Sequence, residues 1–281
     1  VNATVAGFGV EDLSKPASPI QPGTSIEDDA MSEQAYQPNL AKWPKEYDGK
    51  LPVTDVFYST QGEGRWAGWP AVFVRLAYCN LGCVWCDTRY TWDIDKIDSG
   101  TLLAPSEIAA KVQAVVPAGI DHSNIHLVLT GGEPMLHQDR LPKLIDELAA
   151  GGFVFVEVET NGTVVPSSDI CSRISWWNCS PKLANNGLSQ KENLRPDAIA
   201  AIAATERADF KFVVRSPQDV DELLSVYGPL ISRHTIMLMP EGSSASAQLA
   251  AMPFVLEACR THGFRFSPRY HILTWGNERG R

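Results

Sequence analysis

The chain has 281 residues, 44% hydrophobic and 20% charged, with 24 Lys and Arg against 33 Asp and Glu for a formal net charge of -9. That composition buries a core and fills one large domain or two small ones, and an acidic balance without any basic run excludes the electrostatic footprint of a nucleic-acid binder. No apolar stretch reaches the roughly 18 to 20 residues that cross a bilayer, and the amino end lacks the basic-then-apolar order of a signal peptide, so a cytoplasmic protein without membrane contact is expected.

In chain order, residues 1–50 carry Pro16, Pro19, Pro22, Pro38 and Pro44 among many Ser, Asp and Glu. So little apolar surface does not offset the entropy of ordering, which predicts an extended or partly disordered segment, with the folded domain over 51–281. FYSTQGEGRWAG (57–68) places Gln61 and Glu63 among glycines just ahead of the first predicted strand, AVFVRLA (71–77). In that strand Arg75 shares a face with Phe73 and Ala77. A guanidinium facing a lumen needs a partner, either an acidic ligand or a protein carboxylate such as Glu63.

Beyond the cysteine-rich stretch 79–86, apolar runs of strand length recur: IHLVLT (125–130), FVFVEV (153–158), ISWWNC (174–179), ADFKFVV (208–214), TIMLMP (235–240) and FRFSPRYHIL (264–273). Between them lie stretches with helical spacing: 105–116 with Ser106 as a cap-like start, 139–150 ending at Gly151 and Gly152, 216–228 with Ser216 before Pro217, and 244–263 ending at Gly263. Strands alternating with helices predict parallel βαβ units. About six of them make an α/β fold of the partial, incomplete TIM-like barrel kind, with chemistry at the carboxyl ends of the strands. A doubly wound sheet is the rival, but no GxGxxG follows the first strand.

Residues 79–86 read CNLGCVWC. This spacing equals one face of a helix, yet Asn80 and Gly82 are poor helix formers and a β run precedes them, which favours a loop. Structural zinc usually takes four ligands, so a zinc site needs a distant fourth residue. A 4Fe–4S cube held by three thiolates instead leaves one iron free of protein. Three more polar motifs fall directly after predicted strands: TGGEP (130–134), ETNG (159–162) and SPK (180–182). Alone, each reads as a turn; in sequence, at equivalent strand ends, they suggest one site. The glycines of TGGEP permit close backbone approach, and Glu133 is suited to accept from an ammonium.

CxxxCxxC with Trp85 before the last cysteine resembles the signature of the radical S-adenosylmethionine enzymes. TQGEG, the strand arginine, CNLGCVWCDT, TGGEP, ETNG and SPK together resemble the 7-carboxy-7-deazaguanine synthases among them, over about residues 53–275. The resemblance implies a 4Fe–4S cluster on Cys79, Cys83 and Cys86, with S-adenosylmethionine held by Gly132, Glu133, Ser180, Pro181 and Lys182, and Mg2+ on Thr88. It further implies 6-carboxy-5,6,7,8-tetrahydropterin as substrate, met by Thr60, Gln61, Gly62, Glu63, Arg75, Thr130, Glu159 and His271, with Glu63, Arg75 and Glu159 as catalytic residues. Hydrogen abstraction from C6, ring contraction and loss of ammonia would follow, with S-adenosylmethionine regenerated. A flavodoxin or ferredoxin reductant and a homodimer belong to the same expectation. Rival readings are a radical activase acting on a partner's glycine and a zinc-stabilised binding module.

Overall fold

The computed structural model describes residues 48–93 and 101–281. Nearly all of the predicted amino-terminal extension, 1–50, lies outside the described residues. The first strand, β1 (Leu51–Thr60), precedes the run AVFVRLA that the sequence offers as the first strand, and it takes in FYST. It pairs antiparallel with β2 (Pro70–Leu76), Phe57 opposite Phe73 and Thr60 opposite Pro70, and a short β3 (Thr101–Leu103) pairs antiparallel on its other side.

From β2 onward every pairing is parallel, through β4 (His126–Gly131), β5 (Phe155–Thr160), β6 (Trp176–Cys179), β7 (Ala208–Val214), β8 (Ile236–Pro240) and β9 (Arg265–Phe266). The sheet order is β3-β1-β2-β4-β5-β6-β7-β8-β9, with β3 and β9 as its two edges. The sheet therefore stays open, as a partial barrel does. The last strand is the shortest because FRFSPRYHIL is not one extended run. Pro268 cannot donate to a ladder, and the residues after it form a helix, Tyr270–Trp275, which carries His271.

Helices α1 (Pro105–Val115), α2 (Leu141–Ala150), α3 (Ser168–Arg173), α4 (Gln190–Asn193), α5 (Pro196–Ala203), α6 (Pro217–Glu222), α7 (Ala245–His262) and α8 (Tyr270–Trp275) fill the connections. Ser106 is not the cap of α1; the helix begins after Ala104, whose N–H donates to Glu107 at 2.7 Å, and Ser106 lies in the first turn. Ser216 does stand at the N-cap of α6, and α7 ends on Gly263 at φ 71°, a conformation that favours glycine.

Period-two alternation divides each strand between two environments. Val72, Val74, Leu127, Leu129, Phe210, Phe212 and Leu238 pack in one continuous core with Ile108, Leu144, Ile202 and Val255 of the helices. Burying each such side chain contributes about 1.5–3 kcal/mol. The other face carries Arg75, Thr130, Glu157, Glu159, Asn178, Asp209 and Lys211 beside the apolar Phe73, Val128 and Met239, so the inside of the partial barrel mixes polar and apolar side chains. At the amino ends of β4, β5 and β6, Trp66 of the β1–β2 loop packs edge-on against His126, Phe155 and Trp176 at 5.2, 5.2 and 6.1 Å between rings. That aromatic layer forms the floor below the polar residues.

Candidate active site

The cysteine loop leaves β2 through Tyr78, at φ 76°, whose N–H donates to Thr91 O at 2.7 Å. Cys79, Cys83 and Cys86 follow outside any helix, which rules out the helical-stripe reading, and all three are free thiols lining one cavity. Each sulfur receives a donor from another segment. Asn161 Nδ2 lies 3.9 Å from Cys79 Sγ, Asn186 Nδ2 donates to Cys83 Sγ at 3.4 Å, and Trp92 Nε1 donates to Cys86 Sγ at 3.2 Å. Such donors suit thiolates. Burial pushes the thiols up, Cys83 to about 11 against the pull of the Lys182 ammonium, and mutual repulsion adds to it for Cys79 and Cys83. Among the described residues, no group of three His, Cys, Asp or Glu side chains converges to hold a single metal ion. Three thiol sulfurs on one cavity wall, each beside an N–H donor, suit an iron-sulfur cluster.

TGGEP differs from expectation in one respect. The close approach that its glycines permit is to the chain itself. A methyl on Gly131, at φ 141°, would strike the Leu76 backbone, and one on Gly132 would strike the Tyr78 carbonyl. Gly132 N–H donates to Leu76 O at 3.0 Å and Glu133 N–H to Tyr78 O at 2.7 Å, which locks the cysteine loop to the end of β4. Gly132 lines the cavity but Glu133 does not. The Glu133 carboxylate, fully buried, accepts from Met135 N–H, Thr160 Oγ1 and Asn161 N–H at 2.9, 2.7 and 2.6 Å. Burial still pushes its carboxyl above the ordinary value. Through these bonds Glu133 braces the ETNG turn.

Around the polar interior the strand ends meet as the sequence suggested. Thr130 Oγ1 donates to Glu159 at 2.8 Å, and Gln61 Nε2 lies 3.3 Å from both Glu159 and Glu157. Thr60, Gln61, Gly62, Glu63, Arg75, Thr130, Glu159 and His271 all line the cavity that holds the cysteines. Its empty space, open solvent at the mouth included, is about 1390 Å³. Ser180 and Lys182 line it too, Lys182 Nζ donating to Ser180 Oγ at 2.9 Å and lying 5.5 Å above the Trp85 ring. Pro181 is buried behind that wall. Thr88 also lines the cavity, its Oγ1 3.6 Å from Cys86 Sγ.

The protein partner of Arg75 is Asp55 on β1, at 3.7 Å, rather than Glu63. That pairing is loose, since Arg75 Nε has no hydrogen-bond partner. Glu63 is instead held by Lys211 on one oxygen and by Arg269 Nε on the other at 2.9 Å, with His271 at 3.8 Å. Burial alone would raise the Glu63 carboxyl, but these cations outweigh it and hold the group far below the usual carboxylate range. Burial keeps His271 neutral more readily than in water.

Sequence reasoning missed Lys211, Arg269, Asp87, Asn186 and the buried His126–Glu157 pair, whose Nδ1 and Oε1 are 2.5 Å apart. Arg269 ties three segments together, bonding Glu63, Gly242 O and Asp87. For Lys211 a signal existed: a lysine inside the apolar run ADFKFVV has no place on a core-facing strand surface.

Residues 74–173 match the Radical SAM superfamily. A 7-carboxy-7-deazaguanine synthase of Pyrobaculum aerophilum is 39% identical over 236 residues, 83% of this chain and 98% of that protein. That of Halobacterium salinarum is 34% identical over 250 residues, 81% of this chain and 91% of its own length. The crystal structure of QueE from Escherichia coli superposes with a TM-score of 0.58 at 26% identity, covering 79% of this chain and 95% of that one. With that identity over most of both chains, the chain belongs to the 7-carboxy-7-deazaguanine synthase family within the Radical SAM superfamily.

Proposed function

We propose that the chain converts 6-carboxy-5,6,7,8-tetrahydropterin into 7-carboxy-7-deazaguanine with loss of ammonia, as a radical S-adenosylmethionine lyase. The observation that carries this reading is one cavity lined by three free thiols and by an Arg75, Glu63 and Glu159 set able to hold a charged, hydrogen-bonding heterocycle. Cys79, Cys83 and Cys86 would hold the 4Fe–4S cluster, which, when bound, supplies the electron that makes S-adenosylmethionine an abstractor of hydrogen. The Gly132 backbone, Ser180 and Lys182, which line the same cavity, would orient S-adenosylmethionine beside it.

Arg75, which lines the cavity and meets Asp55 only at 3.7 Å, would take the substrate carboxylate. Glu63 and Glu159, both ringed by donors, would accept from the pterin N–H groups, and the Trp66 layer keeps water out below them. Thr88 is proposed to ligate a magnesium ion shared with substrate oxygens, because hard cations prefer oxygen. A flavodoxin-type or ferredoxin-type reductant, a homodimer, a cytoplasmic setting and a product destined for queuosine-type deazapurines complete the proposal. Among the described residues no helix is long and apolar enough to cross a membrane.

The test is anaerobic reconstitution with iron and sulfide, then incubation with S-adenosylmethionine, a low-potential reductant and the carboxypterin. The expected product is 7-carboxy-7-deazaguanine. A reconstituted cluster whose spectrum responds to S-adenosylmethionine, without deazaguanine formation, would defeat the substrate assignment and leave the radical-enzyme assignment standing.

A further inference from the structure

A pterin presents, along one edge, the donors of its 2-amino group and N3–H and then the acceptor oxygen at position 4. A carboxylate facing that edge satisfies the donors but repels the oxygen, so a site that reads the whole edge needs a donor beside its carboxylate. Glu63 and Lys211 supply that combination. Lys211 rises from the middle of β7, next to Met237 of β8, and is 6% exposed. It lines the same cavity as Glu63 and Glu159 and bonds Glu63 through one carboxylate oxygen while Arg269 takes the other. An ammonium has three N–H donors. The bond to Glu63 uses one.

A lysine in the middle of a strand is costly to bury, and an ion pair kept for stability alone is replaceable by apolar residues at little cost. Its place on the cavity wall, within the polar layer formed by Glu63, Glu159 and Gln61, suits recognition better.

We propose that Lys211 is a specificity-determining residue, donating to the 4-oxo group of the pterin while Glu63 accepts from the adjoining N–H groups. This rests on the pterin reading given above. Together the two side chains distinguish a 4-oxo from a 4-amino pteridine, because an amino group would set donor against donor and leave a buried N–H unpaired.

The experiment titrates anaerobic holoenzyme, with S-adenosylmethionine present, against fluorescent 6-carboxypterin and against 2,4-diaminopteridine-6-carboxylic acid. The wild type is expected to prefer the oxo compound by on the order of 100-fold or more. Lys211→Met should narrow that preference about tenfold without abolishing it, because the diamino compound also lacks the N3–H that Glu63 accepts, and Lys211→Arg, which keeps donors, should restore much of the preference. Lys211→Gln, with a neutral donor, provides a second variant should the methionine protein fold poorly, and it should retain a preference intermediate between those of Met and Arg. An undiminished oxo preference in Lys211→Met, or an equal loss of both ligands, overturns the specificity role while leaving the pterin reading intact. Failure of the wild type to bind 6-carboxypterin at all overturns both.

Discussion

The indole N–H of Trp92 donates to Cys86 Sγ at 3.2 Å, while the ring is buried in a small core with Leu81, Cys83 and Leu188. A hydrogen bond to a ligating sulfur draws electron density from it and favours the reduced cluster. Trp92→Phe keeps the aromatic packing and removes only the donor. With about 1 kcal/mol lost from the reduced state, the cluster potential should fall by on the order of 40 mV for a one-electron couple. Potentiometric titration of the reconstituted variant checks this, with iron content unchanged. An unaltered potential would show that the contact has no bearing on the cluster.

Arg75 and Asp55 face each other across the β1–β2 pair at 3.7 Å, and neither Arg75 Nε nor Asp55 Oδ2 makes a hydrogen bond. A guanidinium so loosely held keeps its bidentate face for a ligand. Arg75→Met should therefore weaken binding of the carboxylated substrate by about 2 kcal/mol or more, roughly 30-fold in affinity. Cluster absorbance and the cleavage of S-adenosylmethionine should persist. A KM within a factor of two of wild type would place the substrate carboxylate elsewhere, with Arg269 and Arg281 the other guanidinium groups on the cavity wall.

Much of this site is readable in the chain because its motifs are local. CNLGCVWC, TGGEP, ETNG and SPK each follow an apolar run, and parallel strands deliver them to one end of the sheet. What was not readable depends on long-range pairing. The cations that hold Glu63 lie 148 and 206 residues away on β7 and before α8, so nothing near TQGEG announces them. RYHIL looks like a strand by composition, yet Pro268 ends the extended run and Arg269, anchored to Glu63 and Gly242 O, starts a helix instead. Glu133 suggests an ammonium ligand by its chemistry alone, and its role within the protein is not visible from the motif. The three backbone and hydroxyl donors that enclose it come from residues 135, 160 and 161, a convergence that spacing does not reveal.

His137 is buried, and its Nε2 contacts Ala77 O at 3.0 Å. Burial disfavours the imidazolium and lowers its pKa from the ordinary 6.5, against a smaller pull upward from the carbonyl. Between the folded and unfolded values the unfolded chain binds more protons, so stability rises with pH through that window and is fully present above about 6.5. His271, lowered for the same first reason, adds in the same direction. Urea denaturation of cluster-free protein should thus show stability falling as pH drops from about 7 to 5, by at most about 1.4 kcal/mol per unit for each histidine. His137→Gln, which keeps a donor for Ala77 O, should flatten part of that slope; an identical slope would assign it to other groups.

Two glycines at the site separate rigid from yielding contacts. A methyl on Gly132 would meet the carbonyl of Tyr78, and on Gly62 the imidazole of His271. Backbone held by the Glu133 N–H to Tyr78 O bond at 2.7 Å has nowhere to go, whereas a side chain can rotate. Gly132→Ala should therefore displace the cysteine loop itself, with a loss of stability of about 1–3 kcal/mol, the usual cost of overpacking, and a marked drop in bound iron after reconstitution. Gly62→Ala should load iron normally, because only His271 moves, and should show its effect in the KM for substrate. Iron and sulfide assays beside steady-state kinetics on both variants distinguish the cases. A Gly132→Ala protein that fills its cluster like wild type would mean that the cysteine loop does not depend on its docking against the end of β4.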